Sequence, residues 1–210
     1  MAMTGERKRL SMFRSYTPAD LLTLGNASCG TISIFACLSY IAGDRSATIW
    51  AAFALPVLAL ILDVLDGYVA RLATRRQSAF GADLDSLADI VSFGVAPAVL
   101  GYTLGLRGFW DVAVLTYFVC CGISRLARFN VTSTALTDVA TGKVRYFEGT
   151  PIPTSILLVM IMAALFRAGL TGQDFPGGDA TLLGRGFHPF SVLFGISGSL
   201  MISTVRVPKL

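Results

Sequence analysis

Six apolar runs, each about 20 residues long, restrict most strongly how this chain can fold. Their approximate bounds are 21–42, 47–72, 84–105, 109–130, 151–170 and 188–205. A helix needs about 20 apolar residues to cross the core of a bilayer, where lipid offers the backbone no hydrogen-bond partner. We therefore expect an all-α, polytopic membrane helix bundle with six transmembrane helices, forming a single domain over residues 1–210.

The composition agrees with a membrane environment. Hydrophobic residues make up 54% of the chain and charged residues only 14%, whereas a soluble domain carries about 25% charged residues. The net charge of +4 is compatible with an anionic partner. Because the basic residues lie at the ends of the apolar runs, we expect that partner to be anionic membrane lipid and not nucleic acid.

Basic residues also predict how the chain is oriented in the membrane. Thirteen of the 17 Lys and Arg residues lie in segments on the same side as the N-terminus, and four lie in the opposite loops. Positive charge favours the inside, so both termini are predicted to face the cytoplasm from the cell membrane. We expect residues 1–20 to form a cytoplasmic juxtamembrane segment that is amphipathic, or that is a frayed tail over its first few residues. Pro18 with Asp20 predicts a helix start.

Four carboxylates interrupt the apolar pattern between the second and third runs. Asp63 and Asp66 are spaced i, i+3, and Asp85 and Asp89 are spaced i, i+4, so each pair shares one helix face. A turn over residues 74–81 would bring the two pairs together at the cytoplasmic face. Carboxylates at membrane depth are costly and usually functional. Oxygen ligands suit hard divalent cations, which predicts a two-metal phosphoryl-transfer site.

Glycine and arginine residues flank these carboxylates. Gly67 and Gly81 lack side chains and would let a nucleotide approach the backbone. Arg71, one turn beyond Gly67, would either meet a pyrophosphate or serve as a positive flank of the membrane span.

The same residues form a longer pattern that resembles a known family. Asp63-x-x-Asp66-Gly67-x-x-Ala70-Arg71, nine further residues and Gly81-x-x-x-Asp85-x-x-x-Asp89 resemble the signature of the CDP-alcohol phosphatidyltransferases. Every fixed position of that signature is present. The resemblance implies an enzyme that displaces CMP from a CDP-linked substrate with an alcohol acceptor, uses Mg²⁺ or Mn²⁺, and is typically a homodimer.

The resemblance also implies roles for individual residues. All four aspartates would hold the metals, and Asp89 would in addition take the proton of the acceptor as the catalytic base. The CDP-binding pocket would be formed by Gly67, Ala70, Arg71 and Gly81.

Two later segments point to the acceptor. Ser124–Asn130 and Tyr146–Pro153 resemble segments of the phosphatidylserine synthases of this family, which implies CDP-diacylglycerol and L-serine as substrates. Arg125 or Arg128 would bind the serine carboxylate by a two-pronged hydrogen bond. Asn130 and Glu148 would meet its ammonium group. The arginines have two competing uses, which are binding the lipid phosphate and flanking the membrane span.

Two alternatives stay open from the sequence. One is the same chemistry with glycerol phosphate or inositol phosphate as the acceptor. The other is a small cation transporter, whose acids would be spread through the membrane depth.

Three further expectations concern the outer side. Gly101-x-x-x-Gly105 would allow close helix packing, including between two copies. The loop 171–187 is expected to be a plain connector, and His188 a residue at the boundary of the last run.

Overall fold

The structure, a computed structural model, describes residues 17–43, 47–72, 79–136, 146–203 and 206–208. Most of these residues are helical, which confirms the predicted all-α class. The predicted amphipathic segment over residues 1–20 falls almost entirely outside the described residues. The helices are α1 (Pro18–Ile41), α2 (Ala47–Leu72), α3 (Ala79–Asp89), α4 (Ala96–Leu104), α5 (Phe109–Leu136), α6 (Ile156–Arg167) and α7 (Val192–Ile202).

Four helical segments among the described residues are long and apolar enough to cross a bilayer. They cover Pro18–Ile41, Ala47–Ala70, Phe80–Leu104 and Phe109–Val131, so the chain is a multi-pass membrane protein. The fifth and sixth apolar runs also form helices, but these are shorter, covering Ile152–Arg167 and Pro189–Ile202. Each of the two begins with a 3₁₀ turn that contains a proline, which delays the start of the regular helix.

The first helix begins where the sequence predicts. Thr17 is its N-cap, and its hydroxyl accepts a hydrogen bond from the Asp20 backbone N–H. The Asp20 carboxylate in turn accepts one from the Thr17 N–H at 2.6 Å. This reciprocal capping box, with Pro18 in the first turn, satisfies helix-terminal donors that would otherwise lack partners.

The third span starts earlier than predicted. Helix α3 begins at Ala79 and contains Gly81, although the sequence placed Gly81 in the preceding turn. Glycine costs about 1 kcal/mol in a helix, and packing of α3 against α1 outweighs that preference.

A π-helical segment, Ile90–Val95, joins α3 to α4 and makes one long helix of the three. It ends two residues before Pro97, whose missing N–H and bulky ring disturb the regular hydrogen-bond ladder of the preceding turn. The segment buries Ser92 and Phe93. Ser92 faces α1 at Gly30, where an added Cβ would lie only 2.7 Å from the Ser92 Cα. The two backbones are therefore in direct contact just beyond Asp89.

Aromatic and aliphatic side chains fill the interior on the other side of this long helix. Phe118 of α5 and Phe194 of α7 are fully buried and meet edge-on, with ring centroids 5.3 Å apart. Gly101 contacts Phe194, and Gly105 contacts the backbone of Gly172. Both glycines of the predicted close-packing motif are thus used within the chain, and they give no support for contact between two copies.

The loop 171–187 contains regular structure and is not the plain connector expected from its composition. Strands β2 (Ala180–Leu182) and β3 (Arg185–Phe187) form an antiparallel hairpin, and Phe175 stacks on Phe190 at 4.9 Å. His188, predicted only as a boundary residue, is buried. Its Nδ1 lies 2.6 Å from the Asp111 carboxylate, and its Nε2 lies 2.6 Å from Asp179.

On the opposite side, a short ribbon anchors the Tyr146–Pro153 segment. Strand β1 (Tyr146–Glu148) pairs antiparallel with β4 (Arg206–Pro208). Gly149 follows with a φ of +77° and packs against the carbonyl of Met201. A side chain would be strained at this φ and would meet backbone, so glycine is required for the segment to contact the end of α7.

Candidate active site

Three of the four aspartates predicted as metal ligands come together in the structure. Asp63, Asp66 and Asp85 each offer a carboxylate oxygen, and these oxygens lie within 4.8 Å of one another. The end of α2 supplies the first two residues and α3 supplies the third. The helical spacing directs Asp63 and Asp66 to one face of α2, and the return of the chain as α3 places Asp85 against that face.

The chemistry of this cluster fits a divalent cation. Three carboxylates this close repel one another unless a cation or protons neutralise them. In addition, Asp85 Oδ1 is buried and accepts no hydrogen bond from the described residues, so it has a free lone pair. Hard cations such as Mg²⁺ and Mn²⁺ take oxygen donors of this kind.

Asp89 lies one helical turn beyond Asp85, next to this cluster but outside the set of three. It is buried, with 7% of its surface exposed, and within electrostatic range of all three clustered aspartates. Asn26 of α1 donates a hydrogen bond from Nδ2 to Asp89 Oδ1 at 3.1 Å. The α1 helix therefore forms one wall of the site.

A second residue of α1 contacts the acidic cluster. The Thr23 hydroxyl donates a 2.6 Å hydrogen bond to Asp66 Oδ2. Neither Thr23 nor Asn26 has a site role predicted from the sequence. A signal was nevertheless present, because Thr23, Asn26 and Ser33 share one face of an apolar helix, and polar residues of a membrane helix usually face the interior of the bundle.

Residues predicted for the CDP pocket lie around the cluster. A Cβ added at Gly67 would meet no atom of the described residues within 4 Å, so the described part of the chain leaves open space beside Asp66. Ala70 lies one turn further along α2, and Gly81 lies one turn before Asp85 in α3; both are half-buried. The Arg71 side chain lies outside the part of the chain that the structure describes.

The two predicted acceptor arginines differ in their surroundings. Arg125 is half-buried on α5 and lies within electrostatic range of Asp89. Its guanidinium lies over the Phe129 ring, 5.9 Å from the centroid. Arg128 is exposed on the same helix. Of the two, Arg125 is therefore the one that faces the acidic site.

Asn130 takes part in a polar bridge between α5 and α3. Its Oδ1 accepts a hydrogen bond from Ser86 at 3.0 Å, and its Nδ2 donates to Asp83 at 3.2 Å. Asp83 has no role predicted from the sequence. The bridge ties the Ser124–Asn130 segment to the helix that carries Asp85 and Asp89. The side chain of Glu148, the remaining predicted acceptor residue, lies outside the described part of the chain.

Comparison with known proteins gives a consistent result. Residues 16–197 match the family model of the CDP-alcohol phosphatidyltransferases. A CDP-diacylglycerol–serine O-phosphatidyltransferase of Saccharomyces cerevisiae is 42% identical over 98% of this chain and 75% of its own length. One from Helicobacter pylori is 38% identical over 92% of this chain and 73% of its own length.

An archaeal relative is also similar. The archaetidylserine synthase of Methanothermobacter thermautotrophicus is 41% identical over 67% of this chain and 54% of its own length. No solved structure matches the chain.

Proposed function

Because this chain belongs to the CDP-alcohol phosphatidyltransferase family, we propose that it transfers the phosphatidyl group from CDP-diacylglycerol to L-serine. The products are phosphatidylserine and CMP. The curated relatives named above all carry serine in their names, and two of the three carry CDP-diacylglycerol. The single structural observation that supports the chemistry is the meeting of Asp63, Asp66 and Asp85 within 4.8 Å of one another.

The proposed reaction is a direct displacement at the phosphorus that bears diacylglycerol. The serine hydroxyl oxygen forms a new bond to this phosphorus, and the bond from the phosphorus to the bridging oxygen of the diphosphate breaks. CMP leaves with that electron pair. Asp89, buried beside the cluster, accepts the hydroxyl proton as general base.

The cluster would hold Mg²⁺ or Mn²⁺ through Asp63, Asp66, Asp85 and Asp89, as a two-metal site. When bound, such ions would neutralise negative charge on the diphosphate and so favour departure of CMP. Gly67, Ala70, Arg71 and Gly81 would line the CDP pocket. The open space at Gly67 supports this assignment, because a nucleotide needs close access to the backbone there.

Serine would bind between the acidic site and α5. Arg125, which lies within electrostatic range of Asp89, would bind the serine carboxylate by paired hydrogen bonds. Arg128 lies further out and would contact the lipid phosphate. Asn130 and Glu148 would meet the serine ammonium group, and the bond from Asn130 to Asp83 adds a carboxylate at the same place.

We further propose six transmembrane helices, with both termini and the active site at the cytoplasmic face of the cell membrane. At 1.5 Å per residue, the Ile152–Arg167 segment is about 24 Å long, which a locally thinned bilayer accommodates. The distribution of Lys and Arg supports this orientation. We propose a single domain over residues 1–210 that works as a homodimer, with residues 1–20 as a cytoplasmic segment.

The test is CMP release by purified protein given CDP-diacylglycerol and Mn²⁺ or Mg²⁺, with and without L-serine. We expect serine-dependent CMP release, with an equal amount of phosphatidylserine formed. Release only with glycerol phosphate or inositol phosphate would support the family chemistry and refute serine as the acceptor. Cation flux in proteoliposomes without CMP release would instead indicate a transporter.

A further inference from the structure

Asn26 lies where α1 meets the acidic site, and no part of its surface is exposed. Its Nδ2 donates to Asp89 Oδ1 at 3.1 Å, while its own backbone carbonyl accepts a 2.8 Å hydrogen bond from Ser92 Oγ. One turn further along α1, Gly30 packs directly against Ser92. The amide therefore reaches Asp89 from a backbone that is fixed on both sides.

The carbonyl oxygen of the Asn26 side chain lies in an energetically unfavourable position. Oδ1 is buried and accepts no hydrogen bond from the described residues, and a buried acceptor without a partner is destabilising. A leucine has a similar size and would avoid this cost. An asparagine is therefore a poor residue for this position if it serves only to fill space. What its side chain gains here is the hydrogen bond to Asp89.

We propose that Asn26 is a positioning residue that holds the Asp89 carboxylate for proton transfer. The inference rests on the proposed function, in which Asp89 accepts the proton of the acceptor hydroxyl. A hydrogen bond to Oδ1 limits rotation of the carboxylate, whose terminal torsion is otherwise soft, and it leaves the lone pairs of Oδ2 for the hydroxyl and for a metal ion. Because Asn26 is fully buried, it acts through Asp89 and not by touching the substrate.

The primary test compares Asn26→Leu, which loses the donor, with Asn26→Asp, which keeps the shape but replaces the donor with an acceptor. We expect kcat to fall about 10- to 100-fold in both, the range seen when a residue that orients a site ligand is removed. The KM values for serine and CDP-diacylglycerol should stay within about twofold, because substrate binding is untouched. The Tm of Asn26→Leu should stay within about 4 °C of the unsubstituted protein.

Ser33→Ala is the matched control. Ser33 is equally buried on α1 and donates a 2.8 Å hydrogen bond to the Ala52 carbonyl, away from the acidic site. Its kcat should be unchanged. Unchanged kcat in Asn26→Leu, or a fall matched by Ser33→Ala, would overturn the proposal.

A second measurement does not depend on the acceptor. The Tm values of Asn26→Leu, Asp89→Ala and the double variant form a double-mutant cycle. We expect the two Tm shifts not to add, because the substitutions remove the same contact; additive shifts would overturn the proposal. If the unsubstituted protein releases no CMP with serine, the proposed function fails, while this cycle still decides the pairing of Asn26 with Asp89.

Discussion

Removing the Asp111 carboxylate should destabilise the protein strongly without changing its chemistry. Asp111 is fully buried near the start of α5, at the opposite end of the helices from the acidic site. Its carboxylate accepts hydrogen bonds from the Gly108 N–H at 2.9 Å and the His188 N–H at 2.8 Å, and it contacts the His188 ring at 2.6 Å. Asp111→Ala removes all three contacts at once.

The size of the effect follows from these contacts. Loss of a helix cap such as the one at Gly108 costs about 0.5–2 kcal/mol. The buried His188 N–H left without a partner costs about 1–3 kcal/mol, and the ring contact adds about 1 kcal/mol. We therefore expect a loss of about 4 kcal/mol in the free energy of unfolding. For a chain of this size, about 2–4 °C per kcal/mol converts this to a Tm lower by about 8–16 °C.

The assay is thermal unfolding of purified protein in detergent, with CMP release measured at 20 °C. Asp174→Ala is the matched control, because Asp174 is an exposed acid of the loop 171–187, and the Tm of this variant should not change. The Tm of Asp111→Asn, which keeps one acceptor oxygen, should lie between the Tm values of Asp111→Ala and Asp174→Ala. Activity at 20 °C should stay within about twofold, since distant sites behave independently. An Asp111→Ala protein as stable as Asp174→Ala would refute the role given to this carboxylate.

Three further predictions concern the acidic site. Asp85→Asn should abolish CMP release and the rise in Tm that Mn²⁺ produces, yet raise the Tm of the metal-free protein, because it relieves repulsion among three close carboxylates. Thr23→Val should increase the Mn²⁺ concentration needed for half-maximal activity about tenfold by freeing Asp66, whereas Thr23→Ser should not. Gly30→Val should lower Tm by several degrees and reduce kcat, because its Cβ would collide with the Ser92 backbone; unchanged Tm would contradict this contact.

The acidic site could be located from the sequence because two short helical spacings specify it. Residues three or four apart share a helix face regardless of the rest of the fold. The shared face of Asp63 and Asp66, and that of Asp85 and Asp89, could therefore be predicted from local spacing alone. A short connection between two membrane helices makes them antiparallel neighbours, which brings the two pairs to one face. These inferences need no knowledge of how the other helices pack.

Contributions from α1 could not be assigned in this way. Thr23 and Asn26 are more than 40 residues from the aspartates they contact, and no local rule pairs them. The same holds for Asn130 with Asp83. The π-helical segment after Asp89 was also not predicted. It depends on the effect of Pro97 on the helix and on close packing against Gly30, and hydrophobic periodicity indicates neither.

The sequence by itself determined the membrane class, the helical content and the clustering of the carboxylates, since each depends on composition or on spacing within one helix. Only the tertiary structure decided which side chains surround Asp66 and Asp89, that Gly101 and Gly105 pack within the chain, and that His188 is buried between two acids. The physical reason is that these contacts join segments far apart in the chain. Their geometry is set by how whole helices and loops pack, which local spacing does not specify.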